Sequence, residues 1–235
     1  LWDEIFQAAL NAVQTLLKRL DYPILQYAVY TDDSGHEALF RLACEADILK
    51  QHTIVLEQQS LLARLWDIDV LDENGQSLSR SQFGYAPRQC LICHDNAKIC
   101  ARERRHSMAE LTANVQHRYR LHLAAQHIAA QMREALIAEV ALTPKAGLVD
   151  AINNGSHEDM NLPMFIASAY AIEPYLAACA ATGMSFAEQE STSKILAAIR
   201  PHGIAAEEAM KRATGGANTH KGAIFAFGIF AAALG

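Results

Sequence analysis

The chain has 235 residues, enough for two domains, and about half of them are apolar, which excludes a disordered chain and supports a sizeable core. A formal net charge of −6 excludes a general nucleic-acid or anionic-membrane binder, so any anion site has to be a local cluster of positive charge. No signal peptide opens the chain, no uninterrupted apolar run reaches the roughly 20 residues that span a bilayer, and the cysteines (Cys44, Cys90, Cys93, Cys100 and Cys179) are odd in number and clustered, unlike a secreted disulfide framework. A cytoplasmic protein is expected, with neither nucleic acid nor membrane as partner. Leu at position 1 and an apolar run at the end predict a piece of a longer polypeptide.

Residues 1–20 place Ile5, Ala9, Leu10, Val13, Leu16 and Leu17 at helical spacing and predict an amphipathic helix. Strand-like runs follow at 24–30 (ILQYAVY), 37–44 (EALFRLAC, which also fits a helix), 52–58 (HTIVLEQ) and 65–72 (LWDIDVLD), the last running into the turn signal ENGQ. From about residue 117 the segments are Ala-rich and helical, at 117–142, 164–183 and 186–203, separated by Pro and Gly breaks. The change of pattern puts a boundary near residues 112–117, dividing the chain into 1–114 and 115–235.

Asp67 and Asp69 are two apart on an expected strand, so their side chains share a face. Paired carboxylates repel unless a cation lies between them. Mg²⁺ bound there can also hold phosphates, which is how nucleotidyl-type transferases use Asp-x-Asp; a solvated outer face is the plainer alternative. Cys90-x-x-Cys93-His94 matches the haem c attachment pattern, but that chemistry requires export. A buried thiol cluster and a zinc site built from Cys90, Cys93, Cys100 and His94 or His106 both remain open, although the Cys93–Cys100 spacing is not that of a common zinc module. Lys98, Arg102 and Arg105 share a face at helical spacing, a clamp for a diphosphate or an acidic partner if not merely a solvated basic face.

In the helical half, Glu139 falls in a helix that Pro144 ends, Lys145 and Gly147 lie in an irregular segment, and Asn153, Asn154 and Gly155 read as a turn. Ser156 is placed to cap a helix with His157 and Asp159 in its first turn. The stretch TGGANTHKG (214–222) precedes an apolar segment that reads as a core helix, and Asn218 or Thr219 is expected to cap it. The free N–H groups of that helix start favour an anion. A cap alone leaves Gly215, Gly216, His220 and Lys221 unexplained; a phosphate site accounts for all of them.

TPKAGLVDAINNGSHEDMN together with TGGANTHKGAIF resembles the triphosphoribosyl-dephospho-coenzyme A synthase family. LWDIDVLD together with CLICHDNAKICARERRHS resembles the apo-citrate lyase phosphoribosyl-dephospho-coenzyme A transferase family, and the order of the two is similar to bifunctional fusions. Together these stretches cover about residues 37–235. The resemblance implies an α+β part with a nucleotidyltransferase-like mixed sheet followed by an all-α helical domain. It also implies ATP and 3′-dephospho-coenzyme A as substrates, Mg²⁺ on Asp67 and Asp69, and the citrate lyase acyl carrier (gamma) subunit as partner. Lys98, Arg102 and Arg105 would receive pyrophosphate or the acidic carrier. Lys145, Gly215, Gly216, Asn218, Thr219, His220 and Lys221 would serve phosphates, leaving Glu139, Asp150, His157 and Asp159 as candidates for base or Mg²⁺ ligands. Ala146 stands where that family has a second proline and Ala217 where it commonly has Val, both conformational departures. A reading from another class is a zinc-stabilised binding module fused to a helical scaffold.

Overall fold

In the computed structural model the first helix, α1 (Trp2–Arg19), carries Asp3 and Glu4 in its first turn and Lys18 and Arg19 in its last, complementing the helix dipole, and buries Ile5, Leu10, Leu16 and Leu17. The structure describes residues 1–32, 35–93, 95–186 and 192–235, which form two units, Leu1–Arg120 and Leu121–Gly235. In the first unit β1 (Ile24–Asp32) pairs antiparallel with β2 (Gly35–Leu42), Tyr27 opposite Phe40 with ring centroids 5.0 Å apart. On β2, His36, Ala38, Phe40 and Leu42 turn inward while the residues between them are exposed. His36 stacks on Phe6 of α1 at 5.1 Å and bonds Asp3 at 3.0 Å.

The α+β character of this unit is as expected, but its sheet is smaller. Among the described residues it has two antiparallel strands and is not the mixed sheet anticipated. The run at 52–58 is mostly helix: α2 (Ala46–Leu56) buries Leu49, Lys50, Thr53, Ile54 and Leu56, and this 3.6-residue stripe overrides the β-branched run Thr53-Ile54-Val55. Residues 66–70 are extended without a ladder, and Leu71 makes an isolated bridge to Ser77. The turn between them forms as predicted: Asp72 Oδ1 accepts from the Asn74 and Gln76 amides, both at 2.9 Å, with Gly75 at φ 77°.

Two further helices end this unit. Asn96 caps α3 (Ala97–Glu103), accepting from the Lys98 amide at 3.0 Å and the Ile99 amide at 3.4 Å. A capping box starts α4 (Met108–Ala141): the Glu110 amide donates to Ser107 Oγ at 3.2 Å and the Ser107 amide donates back to Glu110 Oε2 at 2.7 Å. Residues 112–117, where the composition changes, lie inside this helix.

The second unit takes α4 from Leu121 onward and adds α5 (Leu162–Met184), α6 (Thr192–Ala213) and α7 (Lys221–Leu234), the all-α arrangement expected. Residues 187–191, inside the predicted helical segment 186–203, lie outside the described residues. Pro174 and Pro201 sit within α5 and α6 and do not end them. Ala129, Leu136, Ala169, Ile172, Leu176, Ala206, Met210 and Ile224 form one core cluster, each large apolar side chain contributing about 1.5–3 kcal/mol. α5, contrary to the reading that no segment is long enough, meets the length and composition of a membrane span. It buries Ser168, Ala169, Ile172, Leu176, Cys179 and Ala180 in the bundle and pairs Glu173 with Arg133 of α4 at 2.7 Å.

α7 is a core helix on one side only. Ile224, Gly228, Ala231 and Ala232 are buried, while Phe225 is 72% exposed. Small residues let backbones meet: a β-carbon on Gly183 of α5 would collide with the Ala232 carbonyl of α7. Gly183→Val is therefore expected to lower stability by about 1–3 kcal/mol through overpacking, read as a lower urea midpoint at unchanged m-value.

Candidate active sites

In the first unit the acidic segment is held by its own backbone. Ile68, between Asp67 and Asp69, donates its amide to Glu57 Oε1 at 2.8 Å and accepts at its carbonyl from Lys50 Nζ at 3.1 Å. Both anchors come from the inward face at α2 and are buried, Lys50 to 6% and Glu57 to 4% exposure. Arg88 completes the frame. Its Nη1 donates to Asp67 Oδ1 at 2.9 Å and stands 3.7 Å from Glu57, and its Nη2 donates to the carbonyls of Arg64 and Trp66 at 2.9 and 2.8 Å. Trp66, Ile68 and Val70 face inward and Asp67 and Asp69 outward, so the shared carboxylate face is present without a strand. Asp69 accepts from Ser77 Oγ at 3.5 Å. Hard carboxylate oxygens on one exposed face are the donor set Mg²⁺ takes, and with Arg88 on Oδ1 of Asp67, Oδ2 is the oxygen left to face a cation.

Burial, then the charges of Arg88, Arg118 and Arg80, push the Arg64 guanidinium below its ordinary range. This arginine group around Arg64, of which Arg88 meets Asp67, was not anticipated: its members are scattered singly from position 64 to position 118, with no run to flag them. The basic face expected on α3 is only partly formed. Lys98 and Arg102 are exposed on it, but α3 ends at Glu103, Arg104 takes φ 48°, and Arg105 lies beyond, paired with Asp95 at 2.9 Å and with Glu103. Among the described residues none of the three contacts Asp67 or Asp69.

In the second unit the irregular segment after α4 is built around Asp150. Its Oδ1 accepts from the Ile152 and Asn153 amides at 2.8 and 2.9 Å and its Oδ2 from the Lys145 amide at 3.1 Å. These backbone donors, Asn153 first, hold the carboxyl well below the usual carboxylate range, so it stays ionised. Ser156 does not cap a helix; its hydroxyl donates to the Gly147 carbonyl at 2.8 Å, and Asn161 caps α5 instead. Gly155, at φ 59°, lies so close that a β-carbon would stand 2.5 Å from Gly147 and Leu148 backbone atoms. The close approach at Gly147 is thus to its own loop. His157 and Asp159 face each other at 4.0 Å outside any helix.

Lys145 reaches back to α4, donating to Glu139 Oε1 at 3.0 Å and to the Glu139 carbonyl at 2.9 Å. His220 is the residue before α7. His220 is buried, with Nδ1 2.8 Å from Ser168 Oγ and its ring edge-on to Phe165 at 5.0 Å. Burial pulls its pKa down to about 4, Glu139 opposing, so at neutral pH the imidazole is uncharged. Lys145 thus joins Glu139 to the loop built on Asp150, and His220 pairs with Ser168. Ser168, the polar residue in the fully buried stripe of α5, was overlooked because a lone serine among apolar residues carries no spacing signal.

The expected cap of the last helix is overturned. His220 is the N-cap and makes no side-chain cap bond, because its ring is turned to Ser168; Thr219 Oγ1 is buried without a hydrogen-bond partner and Asn218 is exposed. Gly215 and Gly216 take φ 63° and 102° and close the preceding helix, the Gly216 amide donating to the Lys211 carbonyl at 2.8 Å. Lys221 is exposed and pairs with Glu207 at 3.4 Å.

An exposed carboxylate pair with Arg88 on Asp67 in one unit, and Glu139 with Lys145 beside the loop built on Asp150 in the other, are the candidate sites of the two units. Residues 1–122 match the family described as apo-citrate lyase phosphoribosyl-dephospho-CoA transferase, and residues 125–235 match the family described as ATP:dephospho-CoA triphosphoribosyl transferase. The chain belongs to the apo-citrate lyase phosphoribosyl-dephospho-CoA transferase family, continued by a segment of the triphosphoribosyl transferase family, as its motifs implied, and not to a class of zinc-stabilised binding modules. It is 45% identical to protein CitXG of Haemophilus influenzae over 235 residues, all of this chain and 50% of the relative. It is 35% identical over 241 residues to protein CitXG of Leuconostoc mesenteroides subsp. cremoris, covering 98% of the chain and 51% of the relative. A 2-(5''-triphosphoribosyl)-3'-dephosphocoenzyme-A synthase of Haemophilus ducreyi is 47% identical over 144 residues, 61% of this chain and 44% of the relative. The chain spans about half the length of the relatives it matches.

Two measurements check this geometry. Glu57→Ala leaves the Ile68 amide unsatisfied and is expected to cost about 1–3 kcal/mol in denaturant unfolding. For His220 the folded value near 4 lies below the ordinary 6.5, so the unfolded chain takes up its proton first; stability contributed at neutral pH is lost as pH falls from about 6.5 toward 4. His220→Gln should flatten the thermal midpoint against pH in that window, in part only, because burial lowers His122 and His202 in the same direction.

Proposed function

We propose that this chain takes part in making and attaching the citrate lyase prosthetic group. In the second unit, the ribose 2′-hydroxyl of 3′-dephospho-coenzyme A attacks the anomeric carbon of the ATP ribose. The C–O bond forms, the bond to adenine breaks, and the hydroxyl proton leaves to a base. The observation that carries this reading is the Glu139 carboxylate, which holds Lys145 Nζ at 3.0 Å while Asp150 holds the Lys145 amide at 3.1 Å. Glu139 is the base, Lys145 and Lys221 meet the triphosphate, and neutral His220 offers a hydrogen bond without charge. Asn218, Thr219, Gly215 and Gly216 shape the approach to the α7 start, where unpaired N–H groups favour an anion. Asp150, its oxygens taken by backbone amides, sets the loop that presents Lys145; His157 and Asp159 stand at its rim as further polar contacts.

In the first unit, a serine hydroxyl of the acyl carrier subunit attacks the phosphorus of the triphosphoribosyl product. The serine O–P bond forms as the bond to pyrophosphate breaks. Asp67 and Asp69 would hold Mg²⁺, which when bound neutralises phosphate charge. Arg88 adds positive charge next to Asp67, and Lys98, Arg102 and Arg105 receive pyrophosphate or the acidic carrier. ATP and dephospho-coenzyme A as substrates fit a cytoplasmic setting, as do five free thiols.

The test uses the full-length protein with ATP, Mg²⁺ and 3′-dephospho-coenzyme A, following free adenine by chromatography and carrier modification by mass spectrometry. Glu139→Gln is expected to slow adenine release by about 10²–10⁴-fold, the range of a general base. Asp67→Asn should abolish transfer to the carrier while adenine release continues. No adenine from the unmodified protein overturns the synthase assignment.

A further inference from the structure

The cysteine-rich stretch that neither reaction uses converges on one point. Cys90, Cys93, Cys100 and His106 each direct a ligand atom there, and all four atoms lie within 4.8 Å of one another. Cys93 Sγ is 3.3 Å from Cys100 Sγ and 3.3 Å from His106 Nε2. A tetrahedral zinc with bonds of about 2.3 Å to sulfur and 2.0–2.1 Å to nitrogen needs donor–donor edges of roughly 3.5–3.8 Å, a spacing this cluster meets with small shifts. A Cys93–Cys100 disulfide uses two of the four groups, closes to about 2.05 Å, and leaves Cys90 and His106 aimed at nothing. His94 lies outside the described residues.

Backbone hydrogen bonds shape the segment around the cluster. The Cys90 amide donates to the Asp95 carbonyl at 2.6 Å, Gln89 pairs with Asn96, and the Ile92 amide points at Cys90 Sγ at 3.5 Å, the N–H···S contact that stabilises a thiolate in a Cys-x-x-Cys turn. Cys100 projects from α3, whose first turns fill the long Cys93–Cys100 spacing. The left-handed Arg104 then reverses the chain so that Arg105 pairs with Asp95 and His106 meets Cys93. Three thiols and an imidazole form a closed, borderline-soft set of the structural Cys₃His type.

We propose that Cys90, Cys93, Cys100 and His106 bind one structural zinc ion. The ion ties the turn after Arg88 to α3 and to the residue preceding the Ser107–Glu110 capping box. Because Arg88 carries Asp67, the same ion steadies the acidic segment from outside it. The thiol protons leave to solvent on binding.

Chain purified from zinc-supplemented culture without chelators, analysed by plasma mass spectrometry, should hold about one zinc per chain, released in step with mercurial titration of its thiols. Cys93→Ser and His106→Ala should fall well below one. Should those variants fail to fold, the unmodified protein still decides. Stripped of metal and given Co²⁺ alone, it should develop the thiolate charge-transfer and visible bands of a tetrahedral site. Metal-free protein with freely reactive thiols or a Cys93–Cys100 disulfide, and no such cobalt spectrum, overturns the proposal.

Discussion

The first unit depends on one peptide being held at both ends. Two buried side chains of opposite charge, Glu57 and Lys50, grip the amide and the carbonyl of Ile68. Buried charges are costly unless they are bonded, and here each is bonded to a backbone group that would otherwise be unpaired in an extended segment with no neighbouring strand. The two needs offset each other. The residues on either side, Asp67 and Asp69, are thereby projected outward with little freedom, and Arg88 fixes the first of them. What a sheet ladder normally does for an Asp-x-Asp segment is done here by a helix and one arginine.

The second unit solves a related problem differently. Its polar groups cluster where α4 ends and α7 begins, and each charge is defined by a backbone or by a neighbour. Asp150 is kept ionised by three amides and so organises its loop. His220 is kept neutral by burial, with Ser168 as its partner. Glu139 holds Lys145. One carboxylate is thus saturated by backbone hydrogen bonds and the other is held by a single lysine.

The sequence carried the two-part organisation because composition and periodicity change along it, and the helices of the second unit follow from Ala-rich periodic segments. The strand at 24–30 was legible from its aromatic and β-branched run, whereas 52–58 was misread because the four apolar or β-branched positions Thr53 to Leu56 hide a helical stripe that shows only from residue 46 onward. Asp67 and Asp69 were legible because their chemistry is local and spaced by two. Arg88, Lys50, Glu57 and Ser168 were not, since each acquires meaning from a partner 11 or more positions away that only folding brings close. The glycines of TGGANTHKG have a cause just upstream, in how α6 ends, that the ligand reading did not include.

The contact between Gly183 and Ala232 has a consequence for timing and accuracy. A helix seated by long side chains can slide a little as rotamers adjust, but one seated backbone against backbone has a single register. α7 is seated in that way, so the position of its first turn, with His220 and Lys221, is set about three turns away, at its far end. The helix works as a rigid lever indexed at one end, and an opening of the α5–α7 contact would be felt at the other as a displacement of the imidazole.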